Sequence, residues 1–191
     1  GKFTLDGEKM KTDLMLKQPQ LVSHPDTLQL PLRQVAYLFA EYDTSHDAYL
    51  ADLEINELDV NQFLPKDSIY EVTLKLHADG EGLDVFAPQT RFNVQGTVSQ
   101  LHYATYELAG YDLTATLEKH RMEALLTAKN PAMDVSARLD AKLKPNDVAA
   151  HLQVLAPKLD WQVMKLMQAP FMTSHKLDVS LVSDLQQKYV L

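Results

Sequence analysis

The chain alternates. From Met133 to Lys144 every odd position is apolar (Met133, Val135, Ala137, Leu139, Ala141, Leu143) and every even one is polar or charged. A period of two held over this length predicts a β-strand with one dry and one wet face. The same pattern returns at Phe3–Leu5, Met10–Leu16, Leu28–Leu32, Tyr49–Ile55, Tyr70–Leu76, Phe92–Val98, Leu113–Leu117, Val148–Val154 and Leu177–Leu181. Turn-forming stretches separate these runs: Asp6-Gly7, Ser23-His24-Pro25-Asp26, Asp43 to Asp47, Phe63 to Asp67, Ala78 to Gly82, Asn130-Pro131 and Lys144 to Asp147.

Two phase slips stand out. Ile55 is followed by Leu58, which predicts a bulge near Asn56-Glu57, since an uncorrected slip would turn the dry side outward. Val98 is followed by Leu101, again in the other phase. Two segments have helical spacing instead. Val35, Leu38, Phe39 and Tyr42 predict a short helix over Gln34–Tyr42. Leu159, Val163, Leu166 and Met167 predict another over Leu159–Gln168, just after Pro157, with a bulged strand as the alternative. There is also a faint internal echo. Leu53-Glu54-Ile55 then Leu58-Asp59-Val60 resembles Leu152-Gln153-Val154 then Leu159-Asp160-Trp161.

The fold expected is mainly β: a long antiparallel meander in one segment of 191 residues, with one or two short helices. A sheet with one dry face must cover it. Too few helical residues are visible to do so. The expectation is therefore a curled, one-sided sheet, either a groove (a β-taco) or an open sandwich. The alternative is a closed β-sandwich serving as a binding, structural or adhesion module. A filled core and an apolar groove leave the same pattern, and both readings stand at this point.

Composition narrows the function. Only 6 residues are glycine, which fits long strands with few sharp corners. The net charge of −8 and the lack of a Lys/Arg cluster argue against a nucleic-acid partner. With no cysteine there is no disulfide scaffold, zinc-thiolate site or cysteine nucleophile. No run reaches the ~18–20 apolar residues of a membrane span. The chain opens at Gly1-Lys2-Phe3, already strand-like and without an initiator Met or signal peptide, and reads as a segment of a longer protein.

Candidate chemistry is sparse. His24, His46, His77, His102, His120, His151 and His175 show no metal-ligand spacing and read as solvated surface residues. Asp79-Gly80-Glu81-Gly82-Leu83-Asp84 lacks the acidic spacing of a calcium loop and reads as a turn. Asp134 and Asp140 lie on a wet phase, and Trp161 reads as core. Nucleophile-elbow, phosphate-loop and dinucleotide motifs are absent, so no catalytic residue, cofactor or metal is expected.

A resemblance adds to this. The stretches Phe63-Leu64-Pro65-Lys66-Asp67-Ser68, Leu76-His77-Ala78-Asp79-Gly80-Glu81-Gly82-Leu83-Asp84, Val98-Ser99-Gln100-Leu101-His102-Tyr103 and Tyr106-Glu107-Leu108-Ala109-Gly110-Tyr111-Asp112-Leu113 follow in order. The alternating strands and the Leu159-Asp160 element come after them. In this layout the chain resembles the translocation and assembly module subunit TamB of the Bacteroidetes type, in the wider AsmA-like group. The resemblance spans Tyr49 to Leu185; residues 1–47 share the style without a signature. It implies a non-enzymatic periplasmic segment of an envelope protein anchored in the inner membrane. It implies a sheet curled into an apolar trough that carries phospholipid acyl chains toward the outer membrane, or assists protein assembly there beside an outer-membrane β-barrel partner. The residues expected to line such a groove, each by its phase, are Val72, Leu74, Leu76, Val94, Leu113, Leu117, Val135, Leu139, Leu143, Leu152 and Val154.

Overall fold

Alternation becomes pairing in the computed structural model, which describes residues 1–19, 32–64, 69–103 and 106–184. The strands are β1 (Lys2–Asp6), β2 (Lys9–Pro19), β3 (Leu32–Asp43), β4 (Ala48–Asp59), β5 (Ile69–Glu81), β6 (Arg91–Tyr103), β7 (Tyr106–Leu108), β8 (Tyr111–Glu118), β9 (Arg121–Lys129), β10 (Met133–Lys144), β11 (Asp147–Asp160) and β12 (Met172–Ser183). They form one antiparallel sheet. Eleven of them follow one another in chain order, and the short β7 pairs with the far end of β6. Among the described residues β1 and β12 are not joined, so the sheet does not close. The closed sandwich is therefore not the architecture seen. The accessible surface, 13435 Å², is far above the ~9,200 Å² of an ordinary folded monomer of 21.6 kDa, as a single open layer requires.

Residues paired across neighbouring strands point to the same side, so the register shows which face each side chain serves. One row runs Leu14, Leu38, Leu53, Leu76, Gly96, Leu113, Leu126, Ala137, Val154, Leu177 from β2 to β12. The row two residues away runs Thr12, Ala40, Ala51, Ala78, Val94, Ala115, Ala124, Leu139, Leu152, Val179. The interleaved row on the other side reads Asp13, Phe39, Asp52, His77, Gln95, Thr114, Leu125, Arg138, Gln153, Asp178. One face is thus almost wholly apolar over ten consecutive strands, and the other is mostly polar.

The bulge expected near Asn56-Glu57 exists, and other bulges align with it. Register shifts fall between Ile55 and Leu58 in β4, with Glu57 at φ 47, and between Val98 and Gln100 in β6, where Ser99 is the extra residue. Val35 is extra in β3, and β11 carries another irregularity between Ala156 and Leu159. The Ala109-Gly110 break between β7 and β8 lies opposite Ser99. All sit toward one end of the sheet. Each bulge returns the next apolar residue to the dry side: Leu58 and Leu101 both pair with Val72. Bulges also bend strands and increase their twist, so an aligned set curls this end. Burial follows the line: Val35, Val72, Ala128, Ala132 and Ala156, with the polar Gln18, are among the few buried side chains.

The structure corrects three expectations. Gln34–Tyr42 is not a helix but the middle of β3, because β2 and β4 on both sides claim its backbone hydrogen bonds. Leu159–Gln168 is not a helix either. β11 continues through Asp160, and a compact turn follows in which Asp160 Oδ1 accepts the Gln162 and Val163 N–H groups, with Lys165 at φ 57. β5 does not stop at Ala78 but runs to Glu81, paired on both sides, so only Gly82 (φ 75) begins the turn. The one helical element described is a single 3₁₀ turn, Val60–Gln62. The break at Ser23–Asp26, the apolar Leu28 and Leu30, and the Pro65–Asp67 part of a turn lie outside the described residues.

The internal echo has a structural counterpart. In both copies a bulge is followed by a Leu-Asp pair whose carboxylate caps the next turn. Asp59 Oδ1 accepts from Asn61 N at 3.2 Å, and Asp160 Oδ1 from Gln162 N at 3.1 Å.

Candidate functional site

The feature that distinguishes this molecule is an apolar face that no second layer covers among the described residues. All eleven residues expected to line a groove lie on it by register. Leu74, Leu76, Val94, Leu113 and Leu117 come from β5, β6 and β8, and Val135, Leu139, Leu143, Leu152 and Val154 from β10 and β11. Val72 joins them across the bulges, opposite Leu58 and Leu101. They do not share one environment. Leu117 is 1% exposed and Val72 is buried, so these two hold the sheet together. Leu76 and Leu113 stay more than a third open to solvent, although both are leucines in the interior of a wide sheet. Nothing in the described chain packs over them.

Other residues complete the face. Leu14, Leu38, Leu53, Leu126, Leu177, Val179 and Leu181 stand in the same rows. Apart from Leu38, which has helical spacing in the sequence, their alternation was visible there; that they continue the surface of β5–β11 required the register. At one end Tyr42, Tyr49, Gly80, Phe92 and Leu117 form an aromatic-rich row. Desolvation raises the phenol pKa of Tyr49 and of Tyr111, as expected for rings lying on a dry surface. The Tyr111 hydroxyl is directed to Met133 Sδ at 3.6 Å.

The sheet has room for a chain-like guest. Strands near 4.8 Å apart make ten rows roughly 40–50 Å wide, and a twelve-residue strand is about 40 Å long. The depression of about 590 Å³ that touches Tyr49, Phe92 and Leu117 is lined mainly by Asp79, Glu81, Arg91, Asn93, Thr116 and Glu118, rows of the wet side, and so is not a pocket of the apolar face.

The opposite face is stitched by charge. Lys75 Nζ meets Glu54 at 2.9 Å, Lys11 meets Glu41 at 2.9 Å, Arg91 meets Glu81 at 2.6 Å, and His151 Nε2 lies 2.6 Å from Asp178. Hydrogen bonding from Lys75 lowers the Glu54 pKa, and that from His151 lowers Asp178. His77 lies between strands, with Nδ1 2.6 Å from Asp52 and Nε2 3.2 Å from Asp79, and the Asp52 hydrogen bond raises its pKa. Exposed pairs of this kind add little stability singly. They keep this face wet, so the two sides of the sheet differ sharply. Among the described residues no three His, Asp or Glu converge as a metal site would need. Asp79 lies within β5 and is occupied by His77 and Asn93.

No protein-family model, no curated protein and no solved structure matches this chain.

Proposed function

We propose that this chain is a non-enzymatic stretch of an envelope lipid-handling protein of the TamB/AsmA-like kind, and that its apolar face shields lipid acyl chains from water. The observation that carries the reading is the dry face itself: ten strands of aligned Leu, Val, Ala and aromatic side chains, partly exposed, with no second layer over them among the described residues. A soluble monomer rarely leaves so large an apolar surface bare, and such surfaces mark interaction sites. Each methylene of an acyl chain withdrawn from water gains about 0.8 kcal/mol, which an apolar surface supplies without specific contacts or catalytic groups. A curled sheet with a charged outer face can present this surface to a lipid tail while remaining wetted on its back.

In this reading the segment works in the periplasm, within a parent protein anchored in the inner membrane. It serves phospholipid movement toward the outer membrane, or protein assembly there beside a β-barrel partner. No helix among the described residues is long and apolar enough to cross a membrane.

The test is uptake. Delipidated, folded protein is titrated with a fluorescent fatty acid, and freshly purified protein is extracted for mass spectrometry of bound lipid. Saturable binding and co-purified phospholipid are expected. Folded protein that takes up no acyl probe overturns the proposal.

A further inference from the structure

The turns at the two ends of the sheet differ in chemistry. Where β8 turns into β9 and β10 into β11, they are polar: Lys119-His120 and Lys144 to Asp147, with Thr44-Ser45-His46 at the same end. Of the turns there, only 82–90 exposes large apolar side chains, Leu83 and Val85, and Asp84 lies between them. At the bulged end, the connection 161–171 between β11 and β12 reads Trp-Gln-Val-Met-Lys-Leu-Met-Gln-Ala-Pro-Phe, with Lys165 its one charged residue. Val163, Leu166, Met167 and Phe171 are 49%, 56%, 48% and 48% exposed. The echo of this turn after β4, at the same end, exposes Phe63 and Leu64. Large apolar residues thus stand past the strand ends, where the pairing of the sheet does not call for them.

The backbone of 161–171 points to what meets them. Every N–H from Trp161 to Met167 is bonded within residues 160–171. Asp160 Oδ1 accepts those of Gln162 and Val163, and the Asp160 carbonyl that of Met164. The Gln162 carbonyl accepts from Lys165, the Trp161 carbonyl from Leu166 and Met167, and the Phe171 carbonyl from Trp161, all at 2.9–3.1 Å. Irregular backbone tolerates an apolar medium only when its polar groups are satisfied from within. A polypeptide partner is commonly held through free main-chain donors. From 161 to 167 this turn keeps none and offers apolar side chains instead, which suits a fluid hydrocarbon boundary. At its base the Trp161 indole N–H donates to Thr173 Oγ1 at 2.9 Å. Such a ring, apolar in body and polar at one edge, settles at the level of lipid headgroups.

We propose that the 161–171 turn docks the bulged end of the sheet shallowly on a phospholipid bilayer. Val163, Leu166, Met167 and Phe171 enter the acyl boundary, and Trp161 lies at headgroup level. The docking goes beyond acyl-chain shielding by the dry face and stands without it, because the turn lies past the strands.

The chain has 1 tryptophan, so its fluorescence reports this turn alone. The folded chain is titrated with vesicles of phosphatidylethanolamine and phosphatidylglycerol, with and without lipid brominated high on the acyl chain. Trp161 emission is expected to shift to shorter wavelength and to be quenched about twofold or more by the brominated vesicles. Leu166→Asp with Met167→Asp, at exposed positions, should raise the lipid concentration for half-binding about tenfold with an unaltered melting curve. Leu166→Phe with Met167→Phe should retain binding. Emission unmoved by excess vesicles overturns the proposal, as does unquenched Trp161 on vesicle-bound protein, which would mean adhesion through another surface. A double-Asp chain that docks as well as its parent also overturns it. So does a shift that follows protein concentration without vesicles, the mark of self-association. Fatty-acid uptake by the double-Asp chain is expected to match that of the unaltered chain, so docking and acyl shielding fail separately.

Discussion

The side-chain amide of Gln18 holds the backbone of Asp59 at both ends. Its Nε2 donates to the Asp59 carbonyl at 3.0 Å, and its Oε1 accepts the Asp59 N–H at 3.3 Å. Gln18 is on β2 and Asp59 on β4. Between them, the pairing of β3 with β4 ends at Ala36 and Ile55, where the bulges begin. Gln18, 5% exposed, thus replaces a missing stretch of ladder, beside Arg33, which grips Glu57. Gln18→Ala leaves two backbone groups unpaired in a part-buried seam. A loss of about 1–3 kcal/mol is expected in a urea titration, against a few tenths for the exposed Gln62→Ala.

Gly80 and Gly96 both lie on the dry face of the β5–β6 pair, yet they should respond differently to alanine. A methyl at Gly80 would lie 2.6 Å from the Arg91 carbonyl and 2.5 Å from the Tyr49 hydroxyl. One neighbour is backbone and cannot move aside. At Gly96 the nearest atom is the end of the flexible Leu76 side chain, at 3.3 Å. Gly80→Ala is expected to lower the melting temperature by several degrees, corresponding to roughly 1–3 kcal/mol. Gly96→Ala should leave it nearly unchanged.

Leu125 and Leu126 are consecutive and almost equally exposed, at 40% and 41%, but they point to opposite faces of β9. If the dry face binds acyl chains, Leu126→Asp lowers fatty-acid uptake severalfold and Leu125→Asp does not. Equal effects would count against a sided surface. Leu117→Ala should act differently again. With that side chain fully buried, truncation costs about 2–5 kcal/mol of stability before it reveals anything about uptake.

His77 provides a pH dependence with a definite sign. Its folded-state pKa is raised above the ordinary 6.5, chiefly by the Asp52 hydrogen bond. Its contribution is therefore complete below about pH 6.5 and fades as pH rises through the raised value. The side chain is 40% exposed, so the effect is small and screened by salt. An NMR titration should place the His77 midpoint above 6.5, and Asp52→Asn should bring it down. A midpoint unmoved by that substitution would show that the pair does not form.

Alternation by itself determined that this chain is a β-meander, which residues share a side of each strand, and where the β4 register must slip. Those properties belong to single strands, and a period of two is local. It misled at Gln34–Tyr42 and Leu159–Gln168, where Val35, Leu38 and Tyr42, or Leu159, Val163 and Leu166, match a helical period as well. There the neighbours decided: β2 and β4 capture the backbone of β3, and β12 extends β11 to Asp160. Only the tertiary structure could show that Leu14 and Leu177, at opposite ends of the chain, lie in one row, that the bulges align, and that among the described residues no second layer covers the dry face. Strand order, cumulative register and the absence of a covering layer arise between segments distant in sequence, and a dry stripe is the same whether protein, lipid or nothing rests on it.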